Sequence, residues 1–369
     1  MKRTMKKMVS MALTGTMAVA VLAGAGTSEV KAADKAKIGV LVADVSGEEA
    51  QGFRSYYENY IAGNYDVEFN YTDALQSAED EKTAIEKFAS QGCQAIISFS
   101  SNDRVQQIET CEKYGVYYAV ASGVLDDAQY ETYKTYEYFA GQVGPGNDTE
   151  FEAGKDMGAY YKEQGVSKVA IYGAFIPNPM HVYRVAGVLN GLGCTYGGES
   201  DMNAIAGQIF QDQTVDLSKV EGDVEVVSYL QGYGDTTTDE LNAAIQKTPD
   251  AFISVGMATT FFAQSLSEAG ISFSDIDSFT ETNGNSMKNG TLTYLAGKYS
   301  SSIGPVFFLL LNAINGNVIR DEDGNAPSIS QGYLVATDSD TFDKYSVSDS
   351  GDAPIYDKET LDSIIGDNV

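Results

Sequence analysis

The sequence predicts an α/β protein of two doubly wound parallel-sheet lobes, joined by a hinge and separated by a cleft. Three observations support this fold class. Short β-branched runs alternate with longer amphipathic stretches, which is typical of a parallel sheet covered by helices. The alternation pauses near residue 123 and begins again near residue 150. A length of 369 residues suits two domains, each with its own core.

The first half of the chain predicts a βαβαβαβ unit. Ser77 suits the N-cap of the second helix and Gly92 its end. The predicted strands lie at 36–44, 65–72, 94–100 and 116–122, and the predicted helices at 48–63, 77–92 and 102–115. Residues 123–142 are expected to be a connection.

The second half repeats the same rhythm. The predicted helices lie at 150–165, 178–193, 238–249, 258–270 and 302–316, and the predicted strands at 168–174, 225–232, 250–256, 276–281, 291–297 and 331–339. We expect the last 90 residues or so to cross back to each lobe.

These elements suggest domain boundaries. We expect an N-terminal lobe of residues 36–141 plus about 281–328. A C-terminal lobe should contain residues 142–280 plus about 329–345. Residues 346–369 should form a tail, with a surface linker at 346–354 before a short helix.

The N-terminus is typical of an export signal. Basic residues at 2, 3, 6 and 7 precede an apolar run from about 8 to 25, and cleavage is expected after Ala32, which makes residues 1–32 a signal peptide. The segment "LAGA" at 22–25 resembles a lipoprotein processing box, but Ala25 stands where the lipid-bearing cysteine would be. We therefore expect an exported protein, periplasmic or on the outer side of the cell surface, without a lipid anchor.

Charge and composition exclude several function classes. A net charge of −28 argues strongly against nucleic-acid binding. The three cysteines, Cys93, Cys111 and Cys194, form no CxxC pair, and an odd number leaves at least one thiol unpaired within the chain. With one histidine besides, the sequence offers no set of zinc ligands, and no cofactor or metal is expected.

Ligands of open parallel sheets bind beyond the carboxyl ends of the strands. Residues at or shortly after those ends are mostly hydroxyl, amide and carboxylate groups, which suits a small polar ligand. The candidate ligand-binding residues are Asp44, Phe53, Ser101, Asn102, Ser122, Asp126, Asn178, Met257 and Glu281. Each could equally be a helix cap or turn residue, Asn102 and Asn178 especially.

The stretch "FIPNPMHVYRVAGVLNGL" contains the only histidine, His181, and Arg184 one turn later. Val182, Val185, Ala186 and Leu189 form the buried stripe of this helix. His181 has no second histidine or acid nearby in sequence, so a solvated or capping role is favoured over catalysis. Arg184 presents five donors in a rigid fork and is the preferred ligand-binding residue.

The segment "KVAIYGAFIPNPMHVYRVAGVLNGLG" resembles the strand, loop and R-x-x-G helix of type I periplasmic substrate-binding proteins of ABC importers, the ribose/galactose-binding group. Arg184 and Gly187 match the motif, and the resemblance covers about residues 38–345. It implies two lobes with three crossings that close on a ligand. It also implies delivery to the permease subunits of an ABC transporter, without catalysis; we expect a monomer.

The sequence departs from the sugar-binding members of this group at several positions. Ser122-Gly123 replaces an Asp-Arg pair, Gly256-Met257 replaces Asn-Asp, and Lys298 stands near the position of a returning glutamine. No tryptophan is present, so stacking on a sugar must come from Phe53, Phe175 or a tyrosine. With fewer carboxylates expected at the site, Arg184 and Lys298 leave room for a carbonyl, carboxylate or phosphate.

The sequence leaves three functions to compare. The leading prediction is a binding protein for a sugar or sugar-like metabolite. An alternative is a nucleoside or signalling-molecule (autoinducer-like) receptor on the same fold, in which aromatic rings would sandwich a base. An enzyme is disfavoured because the chain has no G-x-S-x-G elbow, no Walker loop and no G-x-G-x-x-G after its first strand.

Overall fold

A computed structural model describes residues 35–349 and 353–365. The strands are β1 (Ala36–Leu41), β2 (Val67–Tyr71), β3 (Ala95–Ser98), β4 (Tyr117–Ala121), β5 (Phe139–Gly144), β6 (Lys168–Tyr172), β7 (Cys194–Tyr196), β8 (Val220–Gly222), β9 (Glu225–Leu230), β10 (Ala251–Ser254), β11 (Phe273–Ser278), β12 (Leu292–Lys298), β13 (Ser328–Ser330) and β14 (Leu334–Ala336).

The helices are α1 (Glu48–Ser55), α2 (Ala62–Asn64), α3 (Ala78–Ser90), α4 (Arg104–Tyr114), α5 (Asp127–Tyr133), α6 (Asn147–Glu163), α7 (Pro179–Gly191), α8 (Met202–Asp212), α9 (Asp235–Gln246), α10 (Ala258–Ala269), α11 (Glu281–Lys288), α12 (Gly304–Ile314), α13 (Ser339–Ser348) and α14 (Lys358–Ile365). A π-helical turn (Tyr56–Ile61) joins α1 to α2, and single 3-10 turns occupy Leu217–Lys219 and Ser300–Ile303.

Two six-stranded sheets form the centres of two lobes. The first sheet has the order β13-β5-β4-β3-β1-β2 and the second the order β14-β12-β11-β10-β6-β9. All strand pairs in both sheets are parallel except β12 with β14. In each lobe the order reverses beside its first strand, β1 or β6. The predicted fold class, two doubly wound parallel-sheet lobes, is confirmed.

The apolar runs that predicted the strands form the cores. All four residues of β3 and all four of β10 are buried, as expected for strands covered by helices on both faces. The helix α12 is apolar on nearly every side and packs across β3, β4 and β5 of the first sheet. In the second lobe α6 and α7 pack closely, because glycines on each helix face the backbone of the other.

One predicted domain boundary differs from the structure. The sequence places about 281–328 in the first lobe, but α11 and β12 belong to the second, since β12 pairs with β11 along its length. The chain returns to the first lobe only at Ser300–Ile303, where α12 follows. The sequence could not show this, because an apolar run such as that of β12 fits either sheet.

Three crossings connect the lobes in the body of the chain. The first lies between β5 and α6, the second between β12 and α12, and the third between β13 and β14. The C-terminal region is not only a surface tail. The helix α13 packs on α11 of the second lobe and α14 on α12 of the first, and Asp349, in the predicted linker, is buried with its carboxylate accepting from the Ser301 amide at 2.8 Å.

The predicted connection at 123–142 contains two elements. Its helix α5 begins with a capping box in which Asp126 accepts from the Gln129 amide and Gln129 from the Asp126 amide. The strand β5, "FAGQVG", is fully buried between β4 and β13. It was not predicted as a strand because it contains two glycines and no β-branched run.

The predicted signal peptide, residues 1–32, lies outside the described residues. Within the residues that are described, no helix is both long and apolar enough to cross a bilayer. All three cysteines are buried and form no disulfide, and burial raises the pKa of each thiol, which agrees with a packing role.

Candidate functional site

A cavity of about 980 Å³ lies between the two lobes. Loops that follow β1, β3, β4 and β5 form its first-lobe wall. The beginnings of α6 and α7, part of α8 and the end of β12 form the opposite wall. The cavity therefore lies at the carboxyl ends of the strands, beside the points where the strand order reverses, which is where doubly wound sheets bind ligands.

The structure brings most predicted site residues together at this cavity. Those that line it are Asp44, Phe53, Ser101, Ser122, Asp126, Asn178 and Lys298. Ser122 adopts a φ of 55°, a region that is uncommon for residues other than glycine and more frequent at functional sites. The predicted residues Asn102, Arg184, Met257 and Glu281 are not among the lining residues.

Arg184 lies behind the cavity wall rather than in it. Its side chain is 3% exposed, and its Nε donates to Glu150 Oε2 at 2.6 Å. Nη1 donates to the Val255 carbonyl at 2.8 Å, and Nη2 to the Tyr333 hydroxyl at 2.6 Å. These bonds occupy the guanidinium, so it is not free to make the direct ligand contact that the sequence predicts. Glu150, its partner, does line the cavity.

His181 is a buried residue rather than a solvated one. Its ring is 5% exposed, and Nδ1 lies 3.2 Å from both the Phe175 amide nitrogen and the Phe175 carbonyl oxygen. Burial, together with the charges of Arg184 and Lys298, lowers the pKa of His181 to about 4. The imidazole is therefore neutral near pH 7.

Asn102 supports the loop after β3. Its backbone amide and its Nδ2 each donate to Glu81 Oε1 at 3.0 Å, and the Asp103 amide donates to Glu81 Oε2 at 3.0 Å. Ser100 also donates to this carboxylate. Burial alone would raise the pKa of Glu81, but these bonds outweigh it and lower the pKa. Glu81 thus fixes the loop that carries Ser101 into the cavity.

Two adjacent carboxylates of α1 reach across to the second lobe. Glu48 accepts from the Glu281 amide at 2.9 Å and from the Thr282 hydroxyl at 2.8 Å. Glu49 accepts from Ser278 and pairs with Lys298 at 3.3 Å. Burial opposes ionisation of Glu49, but Lys298 and the Ser278 hydroxyl outweigh it and hold its pKa below the ordinary value.

Met257, Glu281 and Phe175 lie away from the cavity. Met257 is an exposed N-cap of α10, and Glu281 contributes its backbone amide to the contact with Glu48. Phe175 packs against His181 and Tyr233 at ring distances of 5.7 and 5.5 Å. A position shortly after a strand end did not by itself place these residues at the cavity.

Aromatic side chains line both walls. Phe53 and Phe99 of the first lobe are stacked with ring centres 5.4 Å apart. Tyr183 and Phe210 of the second lobe meet edge to face at 6.4 Å. Phe53 was predicted, whereas the other three were not. Such rings can cover the apolar faces of a small ligand while polar groups bind its edges.

The cavity contains more carboxylates than the sequence suggested. Six acidic side chains line it: Asp44, Glu49, Asp126, Asp127, Asp148 and Glu150. Glu49 and Glu150 lie in first helical turns, as do Asp127 and Asp148. The signal that could have found them is an acid in the first turn after each strand-end loop.

Arg104 is a further cavity residue that the sequence analysis missed. It is the first residue of α4 and therefore directly follows the loop after β3. In contrast, no group of three or more His, Cys, Asp or Glu side chains suited to a metal occurs in the part of the chain that the structure describes.

The fold is similar to solved solute-binding proteins of ABC transporters. One, from Bacillus halodurans with bound myo-inositol, shares 17% identity over 86% of this chain and 99% of its own, with a TM-score of 0.58. Another, from Actinobacillus succinogenes with bound D-allose, shares 16% identity over 84% of this chain and 100% of its own, with a TM-score of 0.60. The periplasmic binding protein of the arabinose ABC transporter from Shewanella shares 16% identity over 84% of this chain and 93% of its own, with a TM-score of 0.56.

Sequence comparison adds nothing further: no protein-family model matches the chain, and no curated protein matches it. The structural similarity extends over both lobes, since it covers more than four fifths of this chain. The chain therefore has the fold of the sugar-binding proteins of ABC transporters, the type I periplasmic binding protein fold that the resemblance predicts.

Proposed function

We propose that this protein is an extracytoplasmic substrate-binding protein that captures a small polar ligand, a sugar or sugar-like metabolite, in its interlobe cavity and delivers it to an ABC importer. It acts as a non-catalytic monomer that meets the permease subunits after closing on its ligand. The observation that carries this proposal is the cavity itself. It lies between two lobes, at the strand ends of both, and side chains from both lobes line it.

The lining chemistry supports a polyhydroxylated ligand. Ser101, Ser122, Asn147, Thr149 and Asn178 provide hydroxyl and amide groups, which can bind sugar hydroxyls as donors or acceptors. Phe53 and Phe99 supply apolar surface beside them. A ligand that touches both walls favours the closed arrangement, because only there can it make all its contacts.

A nucleoside receptor receives less support from the cavity. A base sandwich needs two rings that face each other across a gap the width of a base. Phe53 and Phe99 contact one another instead, and Tyr183 meets Phe210 at an interplanar angle of 72°. The nucleoside alternative stays a prediction, which a ligand panel tests together with the sugars.

The experiment is a thermal-shift panel of sugars, polyols, sugar acids and nucleosides, followed by calorimetric titration of each hit. We expect a member of the sugar group to raise the melting temperature. The variant Ser101→Trp, which puts an indole into the cavity at an exposed lining residue, should lose the shift. The matched control Ser267→Trp, exposed on α10, should keep it. A shift that survives in Ser101→Trp would place binding elsewhere, and hits among nucleosides alone would select the alternative.

A further inference from the structure

The cations that line the cavity differ in what they contact. Arg54 pairs with Glu58 at 3.0 Å and lies over the Tyr71 ring. Lys298 pairs with Glu49 at 3.3 Å. Arg104 has no carboxylate within 4.0 Å in the described part of the chain. It is the only one of these three guanidinium or ammonium groups without an ion-pair partner.

The Arg104 guanidinium is held in place but incompletely bonded. Nη1 donates to the Val124 carbonyl at 2.7 Å. Nε is buried and has no hydrogen-bond partner in the structure. A buried donor without a partner costs about 1–3 kcal/mol, and more for a charged group, so an acceptor that reaches this guanidinium would recover part of that cost.

The loop after β4 is shaped around this guanidinium. A Cβ at Gly123 would lie 3.0 Å from Nη2 and 3.4 Å from Nη1 of Arg104. Any side chain at this position would therefore crowd the guanidinium group. Gly123 also follows Ser122, which lines the cavity with its positive φ. The arginine from α4 therefore lies against the end of β4, where the sequence has no charged residue of its own.

The acids of the cavity limit the charge that a ligand can bring. Asp44 accepts from the amides of Ser46 and Gly47, and Asp126 caps α5. Asp127 and Asp148 stand in the first turns of α5 and α6. Arg104 can pair with one negative charge of a ligand, whereas the second charge of a dianionic phosphate would have no cation without an ion-pair partner beside it among the lining residues.

We propose that Arg104 binds a carboxylate of the ligand, so that the cavity selects a monocarboxylic sugar acid, a uronate or aldonate, over the neutral sugar. This inference rests on the proposed function, since it names the ligand class of the same cavity. The planar fork of arginine matches a carboxylate with two parallel hydrogen bonds. Meanwhile the hydroxyl and amide groups on both walls remain available for the polyol portion.

The test compares matched pairs by calorimetric titration of the purified protein: galacturonate against galactose, glucuronate against glucose, and gluconate against glucitol. Galactose 6-phosphate is the dianionic member. We expect at least one acid to bind about 100-fold more tightly than its neutral counterpart, since a close desolvated charge pair gives discrimination of this order. Arg104→Met should reduce this preference to a few-fold, because the acids lose the charge that Arg104 offers them and the neutral sugars do not. Arg104→Lys, which keeps the charge without the fork, should fall between.

The control variant is Arg54→Met, which removes a cavity-lining cation already paired with Glu58 and should keep the preference for acids. Circular dichroism and melting temperature establish that each variant is folded. If the neutral sugars bind as tightly as the acids, or the phosphate binds best, the sugar-acid proposal is overturned while sugar capture stands. If no sugar or sugar acid binds the wild-type protein at all, the proposed function fails with it.

Discussion

The Arg184 guanidinium and the Glu150 carboxylate form a buried ion pair, with 2.6 Å between Nε and Oε2 and both side chains less than 5% exposed. Glu150 lies in the first turn of α6, directly after the first crossing between the lobes. The Tyr333 hydroxyl, in the third crossing, bonds to both partners. Arg184 therefore ties two crossings to the second lobe, which makes it a positioning residue for the hinge rather than a ligand contact.

We predict that Arg184→Met destabilises the protein by about 3–5 kcal/mol, because it leaves the Glu150 charge buried without its partner. Urea unfolding followed by circular dichroism measures this loss. The double variant Arg184→Met/Glu150→Gln should recover much of it, since the uncompensated charge is then gone. A direct ligand-binding role would give the opposite pattern, with normal stability and lost affinity in Arg184→Met.

The second half of the R-x-x-G motif has a packing explanation. A Cβ on Gly187 would lie 2.0 Å from the Phe151 carbonyl oxygen of α6. We predict that Gly187→Ala costs about 3 kcal/mol, because α6 and α7 must separate to admit the methyl group. Thermal and urea unfolding measure the change.

The matched control is Gly207→Ala in α8, where a Cβ meets no atom within 4 Å. It should stabilise the protein by about 0.5–1 kcal/mol through the lower backbone entropy of the unfolded chain. Equal effects of the two substitutions would mean that helix propensity, not the close approach of α6, determines the cost at Gly187.

The fold could be predicted from the sequence because its cause is local. An apolar run such as "AIIS" of β3 predicts a buried strand from its own residues alone. The apolar stripe of α7 predicts an amphipathic helix in the same way. The strand β5 was missed because two glycines interrupt its pattern, and β12 was assigned to the wrong lobe because strand pairing depends on residues far away in sequence.

The cavity was harder to predict because side-chain direction and pairing are tertiary properties. Residues immediately after strand ends, such as Asp44 and Ser122, line the cavity. Arg184 was predicted from its place in the first two turns of α7, yet its partner Glu150 lies 34 positions earlier in the chain, and this ion pair holds the side chain within the lobe. Arg104, the first residue of α4, was not predicted because its contacts with Gly123 and Val124 depend on how the loop after β4 packs against it.

We predict that Glu49→Gln shifts the unliganded protein toward a more open arrangement. The substitution removes the charge that pairs with Lys298 across the lobes, a contact worth up to about 1 kcal/mol, or about a five-fold change in the ratio of open to closed molecules. Small-angle scattering should show a larger radius of gyration. The control Glu58→Gln breaks an exposed ion pair with Arg54 in the same lobe and should leave the radius of gyration unchanged. Identical scattering from the wild type and both variants would show that the Glu49 contact does not restrain opening.

We predict that His181 makes the protein sensitive to mild acid. Its pKa is lowered to about 4 in the folded protein by burial and by Arg184 and Lys298, against about 6.5 in the unfolded chain. The folded state therefore holds fewer protons at this site between these values, and stability that is fully present above pH 6.5 is lost as the pH falls toward 4. The loss amounts to about 3 kcal/mol.

The measurement is the difference in unfolding free energy between wild type and His181→Asn, taken in urea at several pH values. The Oδ1 of an asparagine at position 181 can still accept a hydrogen bond from the Phe175 amide, but asparagine does not titrate. The unfolding free energy of the wild type minus that of the variant should therefore fall by about 3 kcal/mol between pH 7 and pH 4. Burial and the charge of Asp277 raise the pKa of Asp275, which therefore also titrates. Its contribution cancels in this comparison because both proteins contain it. Met180→Ala, a neighbouring substitution that does not titrate, should show a difference independent of pH, and a His181→Asn difference that is equally flat would mean that the imidazole is charged in the folded protein or is not buried there.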